Sequence, residues 1–179
     1  MQHSNTHKGR EEDIIGLFTA AFTASEGAEE GALIGRLVRD LLTRTALDDL
    51  RVFVTEDGGA LIGGAIFTRL TYAQDSRSVF ILSPMAVAPD RQGEGAGRGL
   101  LRYALDALRG AGVDIALTYG DPAFYGKVGF LPMDEAEVPA PQPLSQPVGW
   151  IGQSLAGGAV PPLGGPCTCT AALNDPALW

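Results

Sequence analysis

The residues best placed to do chemistry fall in one run, Val87-Ala88-Pro89-Asp90-Arg91-Gln92-Gly93-Glu94-Gly95-Ala96-Gly97-Arg98-Gly99-Leu100-Leu101. Its pattern is a strand, a tight turn and a helix. Glycines at 93, 95 and 97 let the backbone turn sharply and approach a ligand without Cβ atoms in the way. The first N–H groups of the helix have no intrahelical acceptor, and the helix dipole places partial positive charge among them. Such a loop suits a phosphate. Arg91, Arg98 and Arg102 add positive charge in a chain that is otherwise acidic. Two other glycine-rich phosphate motifs do not fit. A dinucleotide fingerprint needs glycine where Leu100 stands, and there is no Gly-Lys-Ser/Thr ending for a P-loop. A turn that is glycine-rich for purely structural reasons is the plainer alternative.

Other reactive side chains are few. The only histidines, His3 and His7, lie in a polar N-terminal stretch, where two solvated rings are a better reading than an i,i+4 metal pair, so no metal is expected. The only cysteines, Cys167 and Cys169, are one residue apart, too close for an unstrained disulfide and not by themselves a zinc pattern. Ser-His-Asp or Cys-His chemistry would have to recruit the tail and is not expected.

The elements that must position the glycine-rich run can be read from periodicity. Residues 1–10 are polar, lack an apolar period and are expected to form a mobile tail. Ile14, Leu17, Phe18, Ala21 and Phe22 recur at helical spacing behind the acidic start Glu11, Glu12 and Asp13. A second helix, about Glu29 to Arg44, aligns Leu33, Ile34, Leu37, Val38, Leu41 and Leu42 on one stripe. Residues 50–56 and 60–72 read as a hairpin about Asp57-Gly58-Gly59. The strand 79–87 is interrupted by Pro84, which cannot donate to a ladder. The third helix, 95–109, carries Leu100, Leu101, Ala104, Leu105 and Leu108 and ends at Gly110-Ala111-Gly112. A strand follows at 113–118, and Asp121-Pro122 reads as an N-cap with proline at the first helical position of a short helix that stops near Gly129. Five prolines between 132 and 147 predict an extended connection, and 148–155 and 167–173 are terminal strand candidates.

Composition sets the outer limits. At 179 residues, with 45% hydrophobic and 19% charged, the chain should fold, and residues 11–179 are expected to form a single domain with a Pro/Gly-rich section at 132–179. Thirteen basic against 21 acidic residues, net charge -8, argue against a broad surface for nucleic acid or anionic lipid. No segment approaches the roughly 18 apolar residues of a membrane span, and the N-terminus lacks a secretory h-region. With free thiols, this gives an expected cytoplasmic location.

The run Gln92 to Gly97 resembles the pyrophosphate loop of the GNAT superfamily of N-acetyltransferases, whose pattern is Gln/Arg-x-x-Gly-x-Gly/Ala. A second signature of that family, an aromatic pair leading to Gly-Phe, is matched by Phe124-Tyr125-Gly126-Lys127-Val128-Gly129-Phe130. With Gly120-Asp121-Pro122, the chain resembles the bacterial YhbS-like branch over about residues 11–131. The resemblance implies an α/β (α+β) fold with a mixed, mostly antiparallel central sheet flanked by helices and splayed at strands 79–87 and 113–119. Acetyl-CoA would lie in that wedge. Main-chain groups of Met85, Ala86 and Val87 would pair with the pantetheine arm. Arg91, Gln92, Gly93, Glu94, Gly95, Ala96, Gly97 and Arg98 would hold the diphosphate.

The implied chemistry is acetyl transfer from acetyl-CoA to a primary amine by direct attack in a ternary complex. Tyr125 would be the acid that protonates the departing thiolate, and a backbone N–H near Ala86 or Val87 would serve the oxyanion. Relatives often carry a glutamate on the strand before the loop, yet residues 78–88 contain no acidic side chain. Either a water relay or a residue from elsewhere acts as base. Glu26, Glu29 and Glu30 lie where such folds receive the acceptor, and are read first as solvated helix-start carboxylates. The family's first strand has no clear counterpart before Asp13. A noncatalytic acyl-CoA-binding or sensing module is the alternative function, and a nucleotide-binding oxidoreductase a more distant one. The partners expected are acetyl-CoA and an amine acceptor, with no nucleic acid and no membrane; a homodimer is left open.

Overall fold

The hydrophobic stripes seen in the sequence become the buried faces of the helices. The computed structural model describes all residues from Met1 to Trp179. Helices α1 (Glu11–Glu26) and α2 (Ala28–Arg44) bury Ile14, Leu17, Phe18 and Ala21, and Ile34, Leu37, Val38 and Leu41. They meet at Gly27, whose φ of 101° is open only to glycine at low cost. Strands β2 (Leu50–Asp57) and β3 (Ala60–Tyr72) are joined through Gly58 and Gly59, both at positive φ, as a two-residue hairpin turn requires. Strand β4 is Val79–Val87, helix α3 is Ala96–Gly110 and strand β5 is Ile115–Tyr119. The short helix α4 (Pro122–Tyr125) is capped by Asp121, whose carboxylate accepts the Ala123 N–H at 2.8 Å, and the chain then turns through Gly129 at φ 96°. Strands β6 (Leu131–Pro132), β7 (Trp150–Ser154) and β8 (Cys167–Thr168) complete the set.

The chain divides into two compact units, Met1–Phe67 with Pro84–Ala104, and Thr68–Ser83 with Leu105–Trp179. In the first, the strand order is β1-β2-β3, where β1 (Gln2–Ser4) runs antiparallel to β2 with His3 opposite Thr55. Phe18 of α1 packs so closely on β3 that a Cβ at Gly64 would lie 2.7 Å from its ring. In the second unit the order is β4-β5-β7-β6, with β8 on the end of β3. Pairing of β4 with β5 is parallel, while β5 with β7, β6 with β7 and β3 with β8 are antiparallel. The expected mixed, mostly antiparallel sheet is present. The β4–β5 register runs from Val79↔Ile115 to Leu82↔Thr118 and stops two residues before Pro84, where the missing N–H makes further pairing costly.

Four boundaries differ from the sequence reading. Residues 2–4 are not part of a featureless tail: they form β1, the strand that no apolar alternation announced. His3 is held there by a 2.8 Å hydrogen bond between Nδ1 and the Thr55 hydroxyl, and its ring lies against Tyr103. Strand β5 starts at Ile115 rather than 113, because the Asp114 carboxylate turns aside to accept the Ser78 N–H. Strand β7 is Trp150–Ser154 rather than 148–155, with a 3-10 turn at Pro147–Gly149 leading into it. The last candidate, 167–173, shortens to two residues, since Ala171–Leu173 coil into a 3-10 turn.

Candidate functional site

In the first unit, the glycine-rich run forms an exposed loop between the end of β4 and the start of α3. A 3-10 turn at Pro89–Arg91 reverses the chain, and Gly93 and Gly95 follow at φ 82° and 87°. A Cβ at either glycine would meet nothing within 4 Å, so backbone conformation, and not crowding, is what demands glycine here. The Gly99 N–H donates to the Gly95 carbonyl at 3.0 Å, making Gly95 the residue from which α3 starts. By helix geometry the N–H groups just after it lack intrahelical acceptors. Ala96 and Gly97 are buried, while Gln92, Gly93, Glu94 and Arg98 are exposed.

Side chains fix this loop in ways that spacing does not reveal. Gln92 Nε2 donates back to the Val87 carbonyl at 3.2 Å, tying the loop to the end of β4. That carbonyl is therefore already engaged, whereas Met85 and Ala86 precede it as a half-buried and a buried strand residue. Arg91 is not a free cation: Nη2 lies 2.7 Å from Asp57 Oδ2 and Nε lies 3.0 Å from Glu94 Oε2. These pairs hold the Arg91 pKa above its ordinary value and, through the hydrogen bond from Arg91 above all, keep that of Asp57 below its own. Arg98 and Arg102 are exposed on α3. Removing the charge of Glu94 (Glu94→Gln) frees part of Arg91 and removes an anion beside the loop. The expected result is a gain in CoA affinity of about two- to fivefold at low salt that shrinks at 0.5 M salt, as screening of exposed pairs requires. Calorimetric titration at both salt concentrations checks it.

In the second unit, Tyr125 ends α4. Its ring lies edge-on to Phe124 at 5.1 Å and tilted to Phe130 at 5.6 Å. It also presses on β5's end so tightly that a Cβ at Gly120 would sit 2.7 Å from its Cε2. Burial pushes the phenol up to about 12; a hydrogen bond to Thr118 pulls it down and the Asp121 carboxylate raises it further. Thr118 is itself buried and donates to the Leu82 carbonyl at 2.9 Å, the last paired position of β4. A neutral phenol fixed by three aromatic and backbone neighbours is a donor that stays protonated at any ordinary pH.

Sequence reasoning singled out Tyr125 and the loop 91–98. It missed Asp57, which positions Arg91 from the β2–β3 turn, and Thr118, whose hydroxyl lowers the pKa of the phenol. The first had no sequence signal; the second was visible only as a hydroxyl in a hydrophobic strand. Glu26 and Glu29 are exposed and Glu30 half-buried at the α1–α2 junction. No group of three or more His, Cys, Asp or Glu side chains is arranged to hold a metal ion, and no helix is long and apolar enough to cross a membrane.

Residues 48–132 match the family model described as the acetyltransferase (GNAT) domain. Among curated relatives, the uncharacterized N-acetyltransferase YjhQ of Escherichia coli is 35% identical over 102 residues, which cover 54% of this chain and 56% of YjhQ. The chain thus spans about half the length of the curated relatives it matches. Among solved structures, a GNAT family acetyltransferase from Brucella melitensis in complex with acetyl-CoA superposes with a TM-score of 0.74 at 24% identity, covering 96% of both chains. The Escherichia coli GNAT family N-acetyltransferase YhbS in complex with CoA gives 0.76 at 23% identity, covering 97% of this chain and 92% of that one. The glycine loop opening α3 lies inside the matched stretch, so residues 48–132 are similar to a GNAT acetyltransferase domain and the chain has the fold of these two solved GNAT structures.

Proposed function

We propose that the protein transfers an acetyl group from acetyl-CoA to a primary amine by direct attack in a ternary complex. The observation that carries this reading is the loop at Gly93 and Gly95, held in left-handed conformations in front of the first amides of α3. Its open outer face and unsatisfied amides fit a diphosphate, and two proteins of the same fold were solved with acetyl-CoA or CoA bound. Gln92, Gly93, Glu94, Gly95, Ala96, Gly97 and Arg98 are the residues we assign to the diphosphate. Arg91 shapes the loop through its carboxylate partners, and Met85 and Ala86 offer main-chain groups to the pantetheine. Tyr125 donates its hydrogen bond to the sulfur as the thiolate departs. We also read residues 11–179 as one domain, since β3, β4 and α3 each run from one compact unit into the other.

The test is thiol release from acetyl-CoA with a panel of polyamines, amino acids, aminoglycosides and peptides. Amine-dependent release with stoichiometric acetylated product is the expected result. Tight CoA binding with no amine-dependent release would instead make the protein an acyl-CoA-binding module, in keeping with the lack of an acidic side chain in residues 78–88.

A further inference from the structure

The second unit contains a cavity that the assignments above leave unused. It is about 490 Å³, open to solvent, and lined among others by Tyr119, Gly120, Asp121, Ser145, Gln146 and Gly149. Its wall is built rather than incidental. The Tyr119 hydroxyl accepts the Gln146 N–H at 2.7 Å and lies 3.0 Å from the Ser145 hydroxyl, and the Gly120 N–H donates to the Gly149 carbonyl at 3.0 Å. Behind it, the Tyr119 ring stacks on Trp179 with centroids 6.0 Å apart. These bonds pin the end of the proline-rich connection against the end of β5.

Asp121 is the one ionised side chain lining this cavity. Its Oδ1 caps α4 by accepting the Ala123 N–H, and the residue is exposed. The cavity wall at Gly120 is also the surface on which the Tyr125 ring rests, and the Asp121 charge is felt at the Tyr125 hydroxyl. A carboxylate, a hydroxyl, an amide and an aromatic wall next to a neutral phenol make a site for a cation with a hydrogen-bonding skeleton. The chain's net charge of -8 draws such a ligand in from solution.

We infer that this cavity binds the acceptor and selects amines carrying a second cationic centre, which Asp121 holds while the other amine reacts. The inference rests on the acetyltransferase reading and names the substrate class of that site. Asp121→Asn removes the charge but keeps an N-cap of equal rank, so the fold is preserved. The probes are 1,4-diaminobutane and butylamine, of equal carbon length. In the parent, 1,4-diaminobutane is the better substrate, and in Asp121→Asn the ratio of the two kcat/KM values falls about tenfold or more, the worth of a charge-assisted hydrogen bond. Calorimetry of 1,4-diaminobutane in the presence of CoA shows the same loss without needing turnover. Equal use of both amines by the parent, or a ratio unmoved by the substitution, overturns the inference. So does failure of the parent to bind 1,4-diaminobutane. Binding that weakens in Asp121→Asn without any acetyl transfer upholds the cation site and removes the transferase reading instead.

Discussion

Tyr125→Phe lowers kcat at least about tenfold and leaves the Kd of CoA within about twofold of the parent, the signature of an interaction made in the transition state and not in the ground state. The substitution is clean, because phenylalanine keeps the ring on Phe124, Phe130 and Gly120 and loses only the hydroxyl. With the phenol pushed up to about 12, full proton transfer to a thiolate of ordinary pKa about 8.5 is uphill. Under the proposed mechanism the hydroxyl would then act by hydrogen bonding to the developing charge, with the amine's own proton reaching sulfur through solvent or a relay. The pH dependence follows. kcat/KM rises as the acceptor amine loses its proton, and Tyr125 imposes no falling limb until pH approaches 12. The sign for stability is the same. A raised folded pKa contributes stability that is complete below the unfolded value of about 10 and is lost as pH rises from there toward 12. Steady-state kinetics from pH 6 to 10 check the profile, and unchanged turnover in Tyr125→Phe would take this residue out of the chemistry.

Gly95→Val weakens CoA binding by about tenfold or more, measured by calorimetry on folded protein, because a β-branched residue at φ 87° is strained by roughly 1–3 kcal/mol and the loop relaxes away from its ligand-ready shape. Space is not the obstacle, since a Cβ at this position would touch nothing within 4 Å. The control is Gly110→Ala at the other end of α3, which is equally uncrowded but lies outside the glycine-only region of φ. It should leave CoA affinity unchanged. Equal affinity in Gly95→Val and the parent would move the diphosphate away from this loop.

Much of the candidate site is legible in the sequence, and the reason is locality. The loop 92–97, the N-cap at Asp121 and the stop at Gly129 are each decided within a few residues, by backbone freedom at glycine and by a side chain reaching its own helix start. The stripes of α1, α2 and α3 are set by a period of 3.6 that needs no partner to be visible. What stayed hidden joins residues far apart in the chain. Strand β1 is Gln2-His3-Ser4, polar and short, and becomes a strand only because β2 offers it an unpaired edge some 50 residues later.

The amino-acid order by itself determined which segments are helix, strand and turn around the loop, and that a phosphate-bearing ligand suits it, because these follow from local sterics and unsatisfied amides. Only the tertiary structure decided how charged and hydroxyl groups are spent. Arg91 is drawn to Asp57 across 34 positions, Thr118 is joined to Leu82 across 36, and Tyr119 closes a cavity with Gln146 across 27. Ion pairs and hydrogen bonds act over a few ångströms of space, so which distant residues they join is set by how the strands are ordered and not by any spacing along the chain.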